Sequence, residues 1–146
     1  LSLEARQHLV DSPLTFFQNE SQKSDLLGVD VTQTGLIALL EDLVARGFAI
    51  EITAVRSDHH DDSALGEHCH ARGYCVDLWP LTKPEAGAYV DAGDPYFRQF
   101  LQAVAASPWL YQIGLAGSAQ SDANRTAAGE SVFDDDGADH IHIGAK

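Results

Sequence analysis

Two short segments hold the side chains best suited to chemistry. In the first, His68, His70 and Asp77 gather around Gly73, and in the second Asp139, His140 and His142 fall within four consecutive positions. Four of the seven histidines lie in these two segments, so the signal is their clustering and not their number. Imidazole and carboxylate are the donors that a catalytic zinc ion takes, three from the protein with a fourth position kept for water. Together the segments supply such a set twice over. Two imidazoles and one carboxylate in a four-coordinate site suit zinc best among the divalent ions.

The elements that must position these groups follow from the hydrophobic pattern. Leu36, Leu39, Leu40, Leu43 and Val44 share one face of a helix expected over 34–46, with Gly47 as its stop. Residues 48–55 alternate and are rich in branched side chains, which predicts a strand that ends at Arg56 and Ser57. A second strand over 74–79 sets Cys75, Asp77 and Trp79 on one face and Tyr74, Val76 and Leu78 on the other. Asp94 followed by Pro95 opens a helix through Ala105, with Phe97, Phe100, Leu101 and Val104 inward. A strand is expected over 109–115, a loop over 117–130 and a final hairpin over 131–143. Helices and strands do not alternate regularly, which predicts an α+β fold with an antiparallel sheet.

Composition narrows the function. With 146 residues, 45% of them hydrophobic, the chain is expected to form one domain over 1–146 with a core that needs no disulfide scaffold. No apolar run reaches the length of a membrane span and the N-terminus has no signal-peptide pattern, so a chain without membrane insertion is expected. The absence of methionine places the natural start upstream of Leu1. A formal charge of −13 repels phosphate backbones and excludes nucleic acid as a partner, and it sits awkwardly with an anionic cell wall. The two cysteines, Cys69 and Cys75, do not resemble the framework of a disulfide-rich secreted domain, which leaves the redox compartment open.

The residues also carry a family resemblance. His70-Ala71-Arg72-Gly73-Tyr74-Cys75-Val76-Asp77, followed later by Asp139-His140-Ile141-His142 and preceded by Arg56 at a strand end, resembles the M15 zinc peptidases. These include D-alanyl-D-alanine carboxypeptidases, D-Ala-D-Ala dipeptidases and phage L-alanyl-D-glutamate endolysins. The family pattern is S-x-H-x-x-G-x-A-x-D, then an acid three positions before a final histidine. His68 stands where that pattern has serine and Cys75 where it has alanine. The matches lie between Arg56 and His142, more than half of the chain.

This resemblance implies a hedgehog/DD-peptidase-like fold, a small antiparallel sheet flanked by helices, with Zn2+ in a surface groove. It implies that His70, Asp77 and His142 are the metal ligands, Asp139 the general base and Arg56 the partner of the substrate carbonyl. His140 becomes a second active-site group. A regular strand turns residues 140 and 142 to one face and 139 away, but the turn-like stretch 134–138 lets Asp139 point inward before the strand becomes regular. The implied reaction is hydrolysis of an amide next to a D-amino acid in peptidoglycan stem peptides, or in another D-Ala-D-Ala-containing peptide. The implied protein is a monomer that is secreted, periplasmic or wall-associated, and the rival is a non-catalytic, zinc-stabilised wall-binding or virion module.

Plainer roles are expected elsewhere. His68 is a rim residue, Cys75 a packing residue, and His59, His60, Asp61 and Asp62 a polar loop. Asp134, Asp135 and Asp136 form a solvated turn, and Tyr74, Trp79 and Trp109 are core or groove walls.

Overall fold

The computed structural model describes residues 3–57 and 69–146, so His59, His60, Asp61, Asp62 and His68 lie outside the described residues. The elements run α1 (Leu3–Asp11), β1 (Thr15–Phe17), α2 (Glu20–Leu27), α3 (Thr34–Ala45), β2 (Ala49–Ala54), β3 (Cys75–Leu81), α4 (Pro95–Ala105) and β4 (Leu110–Ala116). A short 3-10 turn at Gly117–Ala119, α5 (Asp122–Ala128), β5 (Val132–Asp134) and β6 (His140–Ala145) complete the order. Five helices flank a six-stranded mixed sheet of order β1-β2-β3-β6-β4-β5, an α+β arrangement. The inner pairs are antiparallel, while β1 with β2 and β4 with β5 are parallel, so the sheet is less uniform than the pattern predicts.

Period-two alternation sorts the strands into core and site. Val76 pairs with Ile143, which pairs with Ile113, and Leu78 pairs with Ile141, which pairs with Leu115. These rows are fully buried in one core with Leu36, Leu39, Leu40 and Leu43 of α3 and Phe97, Phe100 and Leu101 of α4. The intervening rows, Asp77–His142–Gly114 and Cys75–Gly144–Gln112, therefore turn to the other face. All seven residues of β3 are buried, which makes Asp77 an acid in an otherwise protected strand.

Two local expectations fail. The stretch expected as a loop over 117–130 contains α5, whose first turn is capped by the Ser121 hydroxyl accepting from the Asn124 N–H. Its small residues are compatible with a helix, and the cap starts one. Nor do β5 and β6 form a hairpin, because β4 lies between them and pairs with both.

The N-terminal third is organised by a buried cation. The Arg6 guanidinium, 1% exposed, donates to the carbonyls of Leu26, Gly28 and Thr32 and to the Thr32 hydroxyl. It thus satisfies acceptors at the end of α2 that have no helical partner. Replacing Arg6 with Ala removes this donor from the Leu26 and Thr32 carbonyls, while Gly28 O keeps the Val31 and Thr32 N–H groups, and we expect a loss of about 3 kcal/mol of stability. The measurement is the urea midpoint at unchanged m value; an unshifted midpoint rules out this account of α1.

Candidate metal centre

Three donors from distant parts of the chain converge on the face opposite the core. Antiparallel register places Asp77 directly across from His142, and the His142 Nδ1 lies 3.2 Å from Asp77 Oδ1. His70 arrives from the turn before β3, with Nε2 3.3 Å from His142 Nδ1 and 3.5 Å from Asp77 Oδ1. All three residues are buried. Gly114, the next residue in the row, makes room for them, because a Cβ there would press on Phe133 and on the Cβ of His142.

The turn that delivers His70 explains the glycine of the motif. Gly73 has φ +77°, a left-handed conformation, and a Cβ there would run into the Val31 carbonyl oxygen. Its N–H donates to His70 O, and its own carbonyl accepts from Gln33, which ties the turn to the start of α3. The ring is then oriented from behind: His70 Nδ1 donates to Val55 O at 2.5 Å, which in the neutral ring leaves the Nε2 lone pair toward Asp77 and His142. Asp25 of α2 holds the next two residues of that segment. Its carboxylate accepts from the N–H groups of Arg56 and Ser57 at 3.0 and 2.7 Å and from the Ser57 hydroxyl.

Burial alone pushes the Asp77 carboxyl up, but hydrogen bonds from His142 and His70 and their charge outweigh it and hold it well below the usual carboxylate range. His140 stands at the edge of this group, Nε2 4.0 Å from Asp77 Oδ1. Desolvation lowers its pKa, yet the Asp135 carboxylate at 2.8 Å, the charge of Asp77 and the Ala138 carbonyl together push it up to about 9. Asp135, expected as part of a solvated turn, is thus the partner of an active-face histidine.

The remaining expected site residues sit apart from the three donors. Asp139 immediately precedes β6, and its two oxygens accept from the Ser118 N–H and hydroxyl, each at 2.8 Å. Those bonds hold its carboxyl below the usual range. Arg56 follows β2, is exposed, and donates through Nη1 to Val31 O at 3.3 Å. Cys69 and Cys75 are joined as a disulfide across the His70 turn, where packing alone was expected for Cys75 and no role was assigned to Cys69.

A cavity of about 530 Å³ opens beside this group, lined by Gln18, Thr53, Trp79, Tyr89, Asp91 and Asp139 among others. Trp79 lies two residues beyond Asp77 on β3 and Asp139 lies next to His140, so the cavity adjoins the donor face. Sequence reasoning missed Tyr89, Asp91, Asp25 and Gln112. Asn19 and Gln22 form a capping box that starts α2, and the Gln22 side chain also donates to Thr53 O.

No protein-family model matches the chain, and no curated protein matches it at the significance required of a relative.

The cavity residue Tyr89 is bonded to a buried acid. Glu51 is 4% exposed and accepts from the Gly87 N–H and the Tyr89 hydroxyl. That hydrogen bond, with burial and the charge of Glu51, raises the Tyr89 pKa. A raised pKa stabilises the fold fully below the unfolded value near 10, and the contribution disappears as pH rises through the folded value. Loss of the Tyr89–Glu51 hydrogen bond in Tyr89→Phe, discounted because Tyr89 is half exposed, should cost about 1 kcal/mol at pH 7, and the variant should be less sensitive to pH above 10, read from thermal unfolding at stepped pH. An alkaline limb as steep as that of the parent chain overturns the assignment.

Proposed function

We propose that this chain is a zinc-dependent peptidase of hedgehog/DD-peptidase-like fold that hydrolyses an amide next to a D-amino acid in peptidoglycan stem peptides. The observation that carries the reading is the triangle of donors. Tetrahedral zinc with bonds of about 2.0–2.1 Å sets its donors about 3.3 Å apart. The three edges here are 3.2, 3.3 and 3.5 Å. A proton shared among the same three atoms would draw them toward ordinary hydrogen-bond lengths of about 2.9 Å, so the spacing favours a cation.

In this reading His70 Nε2, Asp77 Oδ1 and His142 Nδ1 hold the ion. When bound, zinc supplies a Lewis acid that polarises the scissile carbonyl and makes water nucleophilic near neutral pH. The chain supplies the rest. The Val55 carbonyl keeps the His70 ring in its ligating tautomer, and the buried Asp77 carboxylate offsets part of the ion's charge. Asp139 accepts the proton from the attacking water and returns it to the leaving amine, for which it must release the Ser118 hydroxyl. His140, more exposed than the ligands, is placed to steady the substrate oxygen as charge develops on it. The cavity accepts the flanking peptide. Among the described residues it has two carboxylates and no lysine or arginine in its lining, which suits a segment carrying an ammonium group better than one ending in a free carboxylate.

One observation favours a second reading, a metal-stabilised module without turnover. Asp139 is engaged at both oxygens, and the Arg56 side chain bonds a backbone carbonyl, so neither of the two auxiliary groups faces the triangle. A single experiment separates the readings: metal content and fragment mass on one purified sample incubated with intact peptidoglycan, with Asp139→Ala in parallel. We expect one equivalent of zinc in both proteins, stem-peptide fragments from the parent and a loss of at least 100-fold in rate for the variant, the usual scale of a lost acid–base group. Zinc without fragments selects the module, and absence of zinc removes the ligand assignment.

A further inference from the structure

His142 has donors on both sides of its ring. While Nδ1 faces Asp77 and His70, Nε2 lies 3.4 Å from Cys69 Sγ. Sulfur atoms of Cys69 and Cys75 and a ring nitrogen of His142 fall within 4.8 Å of one another, and all three residues are buried. The Gln112 amide closes the side of this group, 3.5 Å from Cys69 Sγ and 3.2 Å from His142 Nε2. Gly144 makes the space, since a Cβ there would meet Gln112 Cγ and stand 3.2 Å from Cys75 Sγ.

We propose that Cys69, Cys75 and His142 Nε2 form a second, redox-gated metal site that captures a thiophilic divalent cation when the disulfide is reduced. In the oxidised chain the sulfurs are committed to each other and His142 is left to His70 and Asp77. Competition between the two sites rests on the metal-centre reading above; the sulfur site itself does not.

The geometry requires little movement. Zinc–sulfur bonds of about 2.3 Å and zinc–nitrogen bonds of about 2.0–2.1 Å separate a sulfur and a nitrogen donor by about 3.5 Å in a tetrahedral site, close to the Cys69–His142 distance. Only the two sulfurs must part, and a Cα separation of 5.0 Å lets side-chain rotation do that without unwinding the turn between them. Thiolates hold soft and borderline cations more firmly than carboxylate does, so the reduced pair outcompetes the His70–Asp77 side. One imidazole bridging two ions would have to lose both ring protons, which makes the sites alternatives.

The chemistry balances. An external dithiol passes two electrons and two protons to the Cys69–Cys75 bond and becomes a disulfide itself; the cation then displaces the two thiol protons. The consequence is compartmental: where a dithiol pool keeps the pair reduced, the ion is drawn away from Asp77, and where the disulfide persists it is not.

Cobalt(II) reports the donors directly. We expect the reduced full chain with one equivalent of cobalt to show a sulfur-to-cobalt charge-transfer band in the near ultraviolet, and the oxidised chain to show visible ligand-field bands alone. The Cys69→Ser/Cys75→Ser chain should give the oxidised type of spectrum with or without dithiol. Asp77→Asn should keep the sulfur band when reduced and lose tight cobalt binding when oxidised. A reduced parent chain with no sulfur band overturns the proposal, as does a sulfur band seen only after native circular dichroism is lost. A sulfur band in the reduced chain together with no cobalt bound by the oxidised one upholds the sulfur site and removes the metal-centre reading instead.

Discussion

Asp77 opposite His142 is the constraint on which the site depends. In an antiparallel pair, register decides which residues face each other, and a slip of one position would carry Asp77 into the core row and Val76 to the donor face. Such a slip is blocked from the core side, because Val76 and Leu78 of the slipping strand would both leave the core they share with α3 and α4. Each fully buried aliphatic side chain is worth about 1.5–3 kcal/mol, so the penalty far exceeds any gain available to two polar residues. The apolar core therefore sets the spacing of the polar site, and the site contributes little to choosing its own register.

The third donor cannot come from the same mechanism, since His70 lies on no strand. Its position is transmitted through the backbone: Asp25 fixes Arg56 and Ser57, the adjacent Val55 carbonyl receives the His70 ring, and Gly73 lets the turn close against Val31. The same α2 helix that holds Asp25 has its C-terminal end satisfied by the buried Arg6. Damage at Arg6 should thus reach the His70–Asp77–His142 group through α2, although among the described residues no side chain of α1 hydrogen-bonds to any of the three.

How much of this was legible in the sequence follows from range. The helix at α3, the strand at β3 and the Asp94–Pro95 start of α4 arise from short-range periodicity and appear where expected, whereas the grouping of His70 and Asp77 with the distant His142 is implied by the family resemblance, and the structure brings the three together. The parallel edge strands were not legible, because nothing local in Thr15–Phe17 or Val132–Asp134 encodes which neighbour it joins. The role of Asp135 was hidden for a similar reason: three consecutive aspartates look equivalent, and only the folded turn selects the one that meets His140. Nor does spacing reveal that Ser118 engages Asp139, since the two are joined only when β4 and β6 pair.

A buried carboxylate needs a compensating charge, and Asp77 is such a group. It is 6% exposed in a chain of net charge −13, where the long-range field disfavours one more anion. His140 is the cation at its edge, but that ring is 4.0 Å away and bonded to Asp135 at 2.8 Å. The hydrogen bonds and charge that His70 and His142 bring to Asp77 require a proton on the ring nitrogen that faces it, and a nitrogen so protonated has no lone pair to point into the triangle. In the proposed metal-bound form a divalent cation would resolve the conflict: it would neutralise the acid, use both lone pairs and leave the His70–Val55 bond intact. Taking two charges out of water is expensive when they meet imperfectly, and three groups already gathered at 3.2–3.5 Å would remove much of that imperfection for an ion that bound there.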